Sequence, residues 1–155
     1  RNQLLVLEAR RELERLMARK GAVRQTKEEK AQFLEIVDGM EKAARENDDI
    51  GFMRHDYALN MLIAKAAHNE YASRALGLLH GMSRRFWYMH YKEAADLPLC
   101  ASLHAQLARR IAQGDADGAA QASDQLVDYV ETFTRATLEI GIPAGNGHKR
   151  PLEAS

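Results

Sequence analysis

The chain has 155 residues, of which 46% are hydrophobic and 28% are charged. This length suits one domain with a single sizeable core, and the composition excludes a disordered chain, a collagen-like repeat and a coiled-coil rod. Lys plus Arg and Asp plus Glu are equal at 22 each, so no basic field collects nucleic-acid phosphates, and direct DNA binding by this segment is not expected.

The number of cysteines and the hydropathy of the chain indicate the cellular compartment of the protein. The single cysteine, Cys100, can form neither an internal bridge nor a zinc-finger framework, and it is typical of a reducing compartment. No stretch approaches the roughly 20 apolar residues of a membrane span, and charges interrupt the first residues too early for a signal peptide. We therefore expect a cytoplasmic protein that does not contact a membrane.

Helix-period spacing of apolar residues dominates the first half of the chain, and strand-like alternation is nearly absent. A first helix is predicted over about residues 3–20, with an end at Gly21 and an apolar stripe of Leu5, Ala9, Leu13, Leu16 and Met17. Thr26 and Glu29 have the spacing of a capping box, which begins a second helix with a buried stripe of Phe33, Leu34, Val37, Met40 and Ala44. A third helix follows residues 46–49.

The second half continues the same pattern. A fourth helix is predicted from about Tyr71 to Tyr91, with a buried stripe of Leu76, Leu79, Met82, Phe86 and Met89. Pro98 suits the first turn of a fifth helix that ends at Gly114, and Asp115 can cap a sixth that runs to about Glu139. Residues 1–139 are therefore predicted to form an all-α, antiparallel bundle of about six helices, because short loops place consecutive helices side by side. Residues 140–155 contain three Gly and two Pro and are predicted to be a flexible tail.

Polar residues on the apolar stripes are the candidates for a site, since bundles build sites from inward-facing side chains of different helices. Asp56 and Asn60 are four residues apart on the third helix, so their oxygens share one face and can bind a cation or a polar ligand. A solvated Asp and an Asn bonded to the backbone is the alternative. His104 lies between Leu103 and Leu107, and a lone histidine on such a face is more often a satisfied core residue than a ligand.

Two arginines are candidates for inward-facing site residues. An inward guanidinium group needs an anionic partner, either from the protein or from a ligand. Arg10 lies on the first helix, and Arg84 begins the aromatic stretch RRFWYMHY at residues 84–91. A surface position is the alternative for each of them.

Known enzyme templates do not match the sequence. None of the six His residues has a Glu three positions before it, as a di-iron bundle requires. The chain also lacks the motifs HExxH, GxSxG and the P-loop. We therefore expect no enzymatic activity.

The order of these features resembles the C-terminal ligand-binding (FCD) domain of GntR-type transcriptional regulators of the FadR subfamily, over about residues 4–135. The family's opening motif E-a-R-r-x-l-E is similar to Glu8, Arg10, Leu13 and Glu14. Its D-x-x-F-H and A-x-x-N pieces resemble DYALN at 56–60 and AAHN at 66–69. Its E-H and downstream G-D-x-x-x-A resemble residues 103–104 and 114–119.

The resemblance implies a regulator's effector-binding domain. It implies a homodimer, a small carboxylate effector held by Arg10, Asp56, Asn60, Arg84 and His104, and operator binding by an N-terminal winged helix-turn-helix domain that this chain lacks. Repression and activation both remain open. The alternatives are a helical metal-binding or enzymatic bundle without a DNA-linked role, and a plain dimerisation module with a filled core.

Many members of the family hold a divalent metal with one Asp and three His. By resemblance, Asp56 and His104 match two of these ligands. Asn60 stands in place of one His and Leu126 in place of another, and Leu103 replaces the usual Glu. The implied metal ligands are thus Asp56, Asn60 and His104, for Zn, Ni, Mn or Ca. A metal-free pocket, in which the same residues hydrogen-bond the effector, is the alternative, because an amide binds transition metals more weakly than imidazole.

Overall fold

The computed structural model describes residues 2–140, and over this range it consists of six α-helices joined by short turns, without a strand. The helices are α1 (Asn2–Arg24), α2 (Lys27–Glu46), α3 (Asp49–Ala67), α4 (Glu70–Ala94), α5 (Leu97–Ala112) and α6 (Ala116–Ile140). The predicted all-α bundle is confirmed. Residues 141–155, nearly all of the predicted tail, lie outside the described residues. In the described range, no helix combines the length and apolarity needed to cross a bilayer.

Short polar side chains begin five of the helices. The predicted capping box is confirmed: Thr26 Oγ1 accepts from the Glu29 N–H at 3.1 Å, and Glu29 Oε1 accepts from the Thr26 N–H at 2.8 Å. At α3 to α6, a side-chain oxygen accepts from the N–H three residues further on, and the capping residues are Asp48, Asn69, Asp96 and Asp115. Because these bonds satisfy first-turn donors, the helix starts are determined locally by the sequence.

Helix α1 continues through Gly21 to Arg24, so the predicted end at Gly21 is wrong. A Cβ atom at Gly21 would lie 3.7 Å from Ile111 Cγ2 and 4.0 Å from Ala66 Cβ, so α1 comes close to α5 and α3 here. The stripe predicted for α1 is also shifted, since Leu5 is 60% exposed. The buried residues of α1 are Leu7, Arg10, Met17, Ala18, Gly21 and Ala22. Tertiary packing thus overrides the weak helix propensity of glycine.

Ion pairs connect α1 to α6. Residue numbers rise along α1 while those of the partners fall along α6, so the two helices are antiparallel. The pairs are Arg11–Asp128 at 2.7 Å, Arg15–Asp124 at 2.9 Å and Arg19–Asp117 at 2.5 Å. Solvent screens exposed pairs of this kind, so they favour this register more than they stabilise the fold.

Helix α4 is less buried than the sequence predicts. Met82 and Met89 of the predicted inner stripe are 43% and 73% exposed, and on α2 the predicted core residue Leu34 is also 43% exposed. Ala72 and Leu76 are the buried residues of α4. The helix packs on α1 and more narrowly on α6, without extensive contact to α3. Space therefore remains in the bundle between α3 and α4.

Candidate functional site

A cavity of about 270 Å³ lies inside the bundle, and side chains from α1, α3, α4, α5 and α6 line it. This volume is close to the lower end of the about 300–1,000 Å³ that ligand pockets occupy. The structure brings all five predicted site residues to this cavity: Arg10, Asp56, Asn60, Arg84 and His104. Their role in effector binding stays a prediction.

His104, which is buried, and Asp56, whose side chain is 29% exposed, form a pair on one wall. His104 Nε2 lies 3.0 Å from Asp56 Oδ1, and His104 Nδ1 lies 2.7 Å from the Cys100 carbonyl oxygen. Because a carbonyl oxygen only accepts, Nδ1 donates to it, and the Asp56 carboxylate beside Nε2 favours the protonated imidazolium ring. Burial alone would lower the pKa of His104, but the neighbouring Cys100 sulfur and the Asp56 carboxylate outweigh it and raise that pKa well above its ordinary value.

The Asp56 carboxyl group is ionised because His104 stabilises its charged form. Burial alone would raise the pKa of Asp56, but the hydrogen bond and charge of His104 lower it. The pair is therefore an imidazolium with a half-buried carboxylate.

A second polar cluster, the Arg10 cluster, consists of Arg10, Glu14 and His80. Glu14 Oε1 accepts from Arg10 Nη2 at 3.1 Å and from His80 Nε2 at 2.7 Å, which joins α1 to α4. Burial alone would raise the pKa of Glu14, but the Arg10 charge and the His80 hydrogen bond outweigh it and lower that pKa to about 2. Arg10 is 8% exposed, and its Nε has no hydrogen-bond partner among the described residues.

The remaining walls are largely apolar, and aromatic rings form one of them. The Trp87 ring lies with its centroid 4.8 Å from that of Phe133 and 5.7 Å from that of Phe52. Phe52 in turn meets the His104 ring edge-on at 5.1 Å. The cavity therefore combines polar groups with a flat apolar surface.

Arg84 lies towards the solvent side of the cavity. Its guanidinium carbon is 5.1 Å from the centroid of the Tyr57 ring, and Tyr57 is 53% exposed. A cation over an aromatic face at this distance is weakly attracted to it. Because α3 carries Tyr57 and α4 carries Arg84, this contact spans the gap between the two helices.

The residues present do not fit the four-ligand metal centre that the resemblance implies. Asp56 and His104 have the separation and the anchored Nδ1 that metal ligands show. A metal would, however, have to displace the proton of His104 Nε2. Asn60 offers an amide oxygen, and Leu126, which also lines the cavity, offers none. Within residues 2–140, no three His, Cys, Asp or Glu side chains are grouped as a metal site.

On the α4 side of the site, the sequence predicted Arg84 but not the other residues. His80, Ser83 and Trp87 line the cavity, and they follow Leu76 at steps of four, three and four residues. These steps are helical, but the apolar pattern of α4 does not include the polar His80 and Ser83. The pattern predicts a core position for Met82 and Met89, which are exposed. The available signal was a histidine at helical spacing from a core leucine.

The fold and the cavity define an all-helical ligand-binding domain. The model of the FCD domain family matches residues 5–129, and the chain belongs to that family. FCD domains are the C-terminal effector-binding domains of GntR-family transcriptional regulators, and their role is regulatory ligand binding. A comparison with curated proteins finds no significant match.

Proposed function

We propose that this chain is the effector-binding and dimerisation domain of a cytoplasmic GntR-type regulator of the FadR subfamily, that it senses a small carboxylate, and that it catalyses no reaction. The observation that carries the proposal is Arg10. It is buried beside the cavity, its Nη2 binds Glu14, and its Nε–H has no partner among the described residues. A buried guanidinium with an unpaired N–H favours an anionic ligand, because charge-assisted hydrogen bonds are strong.

The effector would contact protein groups directly. Asp56 and His104 pair with each other, and Asn60 lines the same cavity one helical turn from Asp56, so these three residues offer polar contacts without a metal. Elemental analysis of the purified protein tests this part. Stoichiometric Zn, Ni, Mn or Ca that is lost in Asp56→Ala would contradict direct contact and favour a metal-mediated site.

A thermal-shift screen with small carboxylates tests effector binding. A ligand present at 100 times its Kd stabilises the folded state by about 2.7 kcal/mol, so at least one acid should raise the Tm clearly. Arg10→Met should abolish the shift. The matched control Arg19→Met removes an arginine that pairs with Asp117 on the surface, and it should keep the shift. If no carboxylate raises the Tm, the carboxylate-sensing proposal is wrong.

Control of DNA binding would use the winged helix-turn-helix domain expected upstream of this segment. Effector binding shifts a dimer between two arrangements only if its affinity for them differs. We expect the effector to change the affinity of the full-length regulator for its operator in an anisotropy titration. Arg10→Met should make that affinity insensitive to the effector. An upstream sequence without a winged helix-turn-helix domain would contradict this part of the proposal.

An apolar stripe on the outer face of α4 supports the homodimer. Its members are separated by seven, four and seven residues, which places each within about 20° of one line along the helix. They are Tyr71, Leu78, Met82 and Met89, with exposures of 76%, 76%, 43% and 73%. A second copy of the chain would cover this stripe, since contiguous exposed apolar surface marks interaction sites.

Light scattering after gel filtration tests the homodimer. The chain has a mass of 17.4 kDa, and the wild-type protein should elute at twice that mass. Leu78→Glu should convert it to a monomer. Leu99→Glu places the same charge on an exposed leucine of α5 and should leave the dimer intact. A monomeric wild-type protein would refute the dimer.

A further inference from the structure

The solvent-exposed part of the cavity wall belongs to two helices. Of the described residues that line the cavity, the exposed ones are Tyr57 and Met61 on α3 and Gly77 and Tyr88 on α4. The described lining residues of α1, α5 and α6 are all buried or half-buried. A ligand of an interior cavity has to pass one wall, and packed helices resist separation because interiors are close-packed. The cavity therefore opens between α3 and α4.

Contacts close this opening at both ends. At one end, α3 and α4 meet at the turn at residues 68–69. At the other end, Tyr91 Oη donates to Asp49 Oδ2 at 2.7 Å, and the Trp87 ring stacks on Tyr91 and packs against Phe52. We call the part of the wall between these two ends the α3–α4 slit.

Arg84 crosses the slit, and Gly77 leaves one part of it open. The Arg84 guanidinium carbon lies 5.1 Å from the centroid of the Tyr57 ring. Residue numbers fall along α4 as they rise along α3, so Gly77 is level with Ala64, about 10 Å from the Arg84–Tyr57 contact. Both residues line the cavity, and a Cβ atom at Gly77 would have no atom of another described helix within 4 Å. The slit is therefore unfilled beside Gly77.

We propose that the effector enters and leaves the cavity through the α3–α4 slit beside Gly77, and that the Arg84–Tyr57 contact is a gate that sets the width of this entrance. Tyr57 is 53% exposed, and a single cation–π contact at such a site is weak. The gate can therefore open while the packed helices stay in place. This inference rests on the proposed effector site and adds the route by which that site is reached.

Alkylation of Cys100 by iodoacetamide tests the entrance without knowledge of the effector. Cys100 is the single cysteine of the chain; it is 1% exposed and lines the cavity, so the cavity is the route by which a reagent reaches it in the folded protein. The sulfur displaces iodide to form a thioether, its proton passes to solvent, and mass spectrometry follows the rate. Gly77→Phe should lower the rate constant about tenfold or more, since an added barrier of only about 1.4 kcal/mol is a tenfold change in rate.

Two control variants separate a blocked entrance from a change in stability. Gly77→Ala also removes the helix-weakening glycine but adds no ring. Gly81→Phe adds the same ring at another glycine of α4, which has the same open space at its Cβ but does not line the cavity. Both controls should keep the wild-type rate, and circular dichroism should show that all three variants are folded.

Substitutions in the gate should have the opposite effect. Arg84→Ala and Tyr57→Ala each remove one partner of the contact, so each should raise the rate of alkylation. The double variant should react no faster than the faster single variant, because the two residues act as a pair. Arg85→Ala removes the neighbouring arginine, which is exposed, and should leave the rate unchanged.

The possible results separate the entrance from the function it rests on. If Gly77→Phe reacts as fast as wild type, or if Cys100 reacts only when wild type unfolds, the entrance is wrong. If the gate variants react at the wild-type rate, the role of the Arg84–Tyr57 contact is wrong. If Gly77→Phe slows alkylation but no carboxylate raises the Tm, the entrance stands and carboxylate sensing fails. An acid that raises the Tm, together with alkylation that is insensitive to Gly77→Phe, gives the reverse conclusion.

Discussion

The depressed pKa of Glu14 predicts a specific loss of stability in acid. The carboxyl pKa falls from 4.5 to about 2 on folding, and its side chain is 15% exposed. A pKa that is lower in the folded state stabilises the protein above the unfolded value and loses that contribution as pH falls through the folded value. At about 1.36 kcal/mol per pKa unit, the shift is equivalent to about 3 kcal/mol at neutral pH. By linkage, about 2 kcal/mol of this is lost between about pH 5 and pH 3.

Urea unfolding followed by circular dichroism measures this loss. Glu14→Gln cannot titrate, so the free-energy difference between wild type and this variant should narrow by about 2 kcal/mol from pH 5 to pH 3. Glu12→Gln should follow the wild-type curve. If the difference in the free energy of unfolding between the two proteins stays constant with pH, the pKa of Glu14 is not lower in the folded state. The interactions described for Glu14 with Arg10 and His80 would then be wrong.

Three further predictions concern the fold and the metal ligands. Gly21→Ala should raise the free energy of unfolding by about 0.5–1 kcal/mol in urea titrations, because alanine is the better helix former. The new Cβ has room, since the nearest side-chain atom is 3.7 Å away. A destabilised variant would contradict this unstrained packing. Thr26→Ala removes the bond to the Glu29 N–H and should cost about 1 kcal/mol in the same assay, and an unchanged midpoint would contradict the cap. Restoring both histidines in an Asn60→His, Leu126→His double variant should increase bound Zn or Ni in elemental analysis, whereas unchanged metal content would show that more than ligand identity limits the site.

Much of the candidate site could be predicted because inward polar residues interrupt an otherwise regular apolar pattern. Asp56 and Asn60 share a face of α3, and His104 lies on the apolar face of α5, so helical spacing made them candidates. Spacing left a solvated Asp56 and a core His104 open, and the family resemblance favoured the site. The cluster of Arg10, Glu14 and His80 could not be predicted in this way. It joins α1 to α4 across 66 residues of sequence, and no spacing within one helix reports such a contact.

The helical class and the helix starts follow from local sequence features, because caps and apolar periods act within a few residues, and the order of short motifs indicates the family. Which helix faces pack together depends on contacts between distant residues, so local rules do not predict it. The tertiary structure kept Gly21 inside α1, because neighbouring helices pack closely there. It also turned His80 towards the cavity and left Met89 exposed, because the face that α4 buries depends on which helices lie beside it.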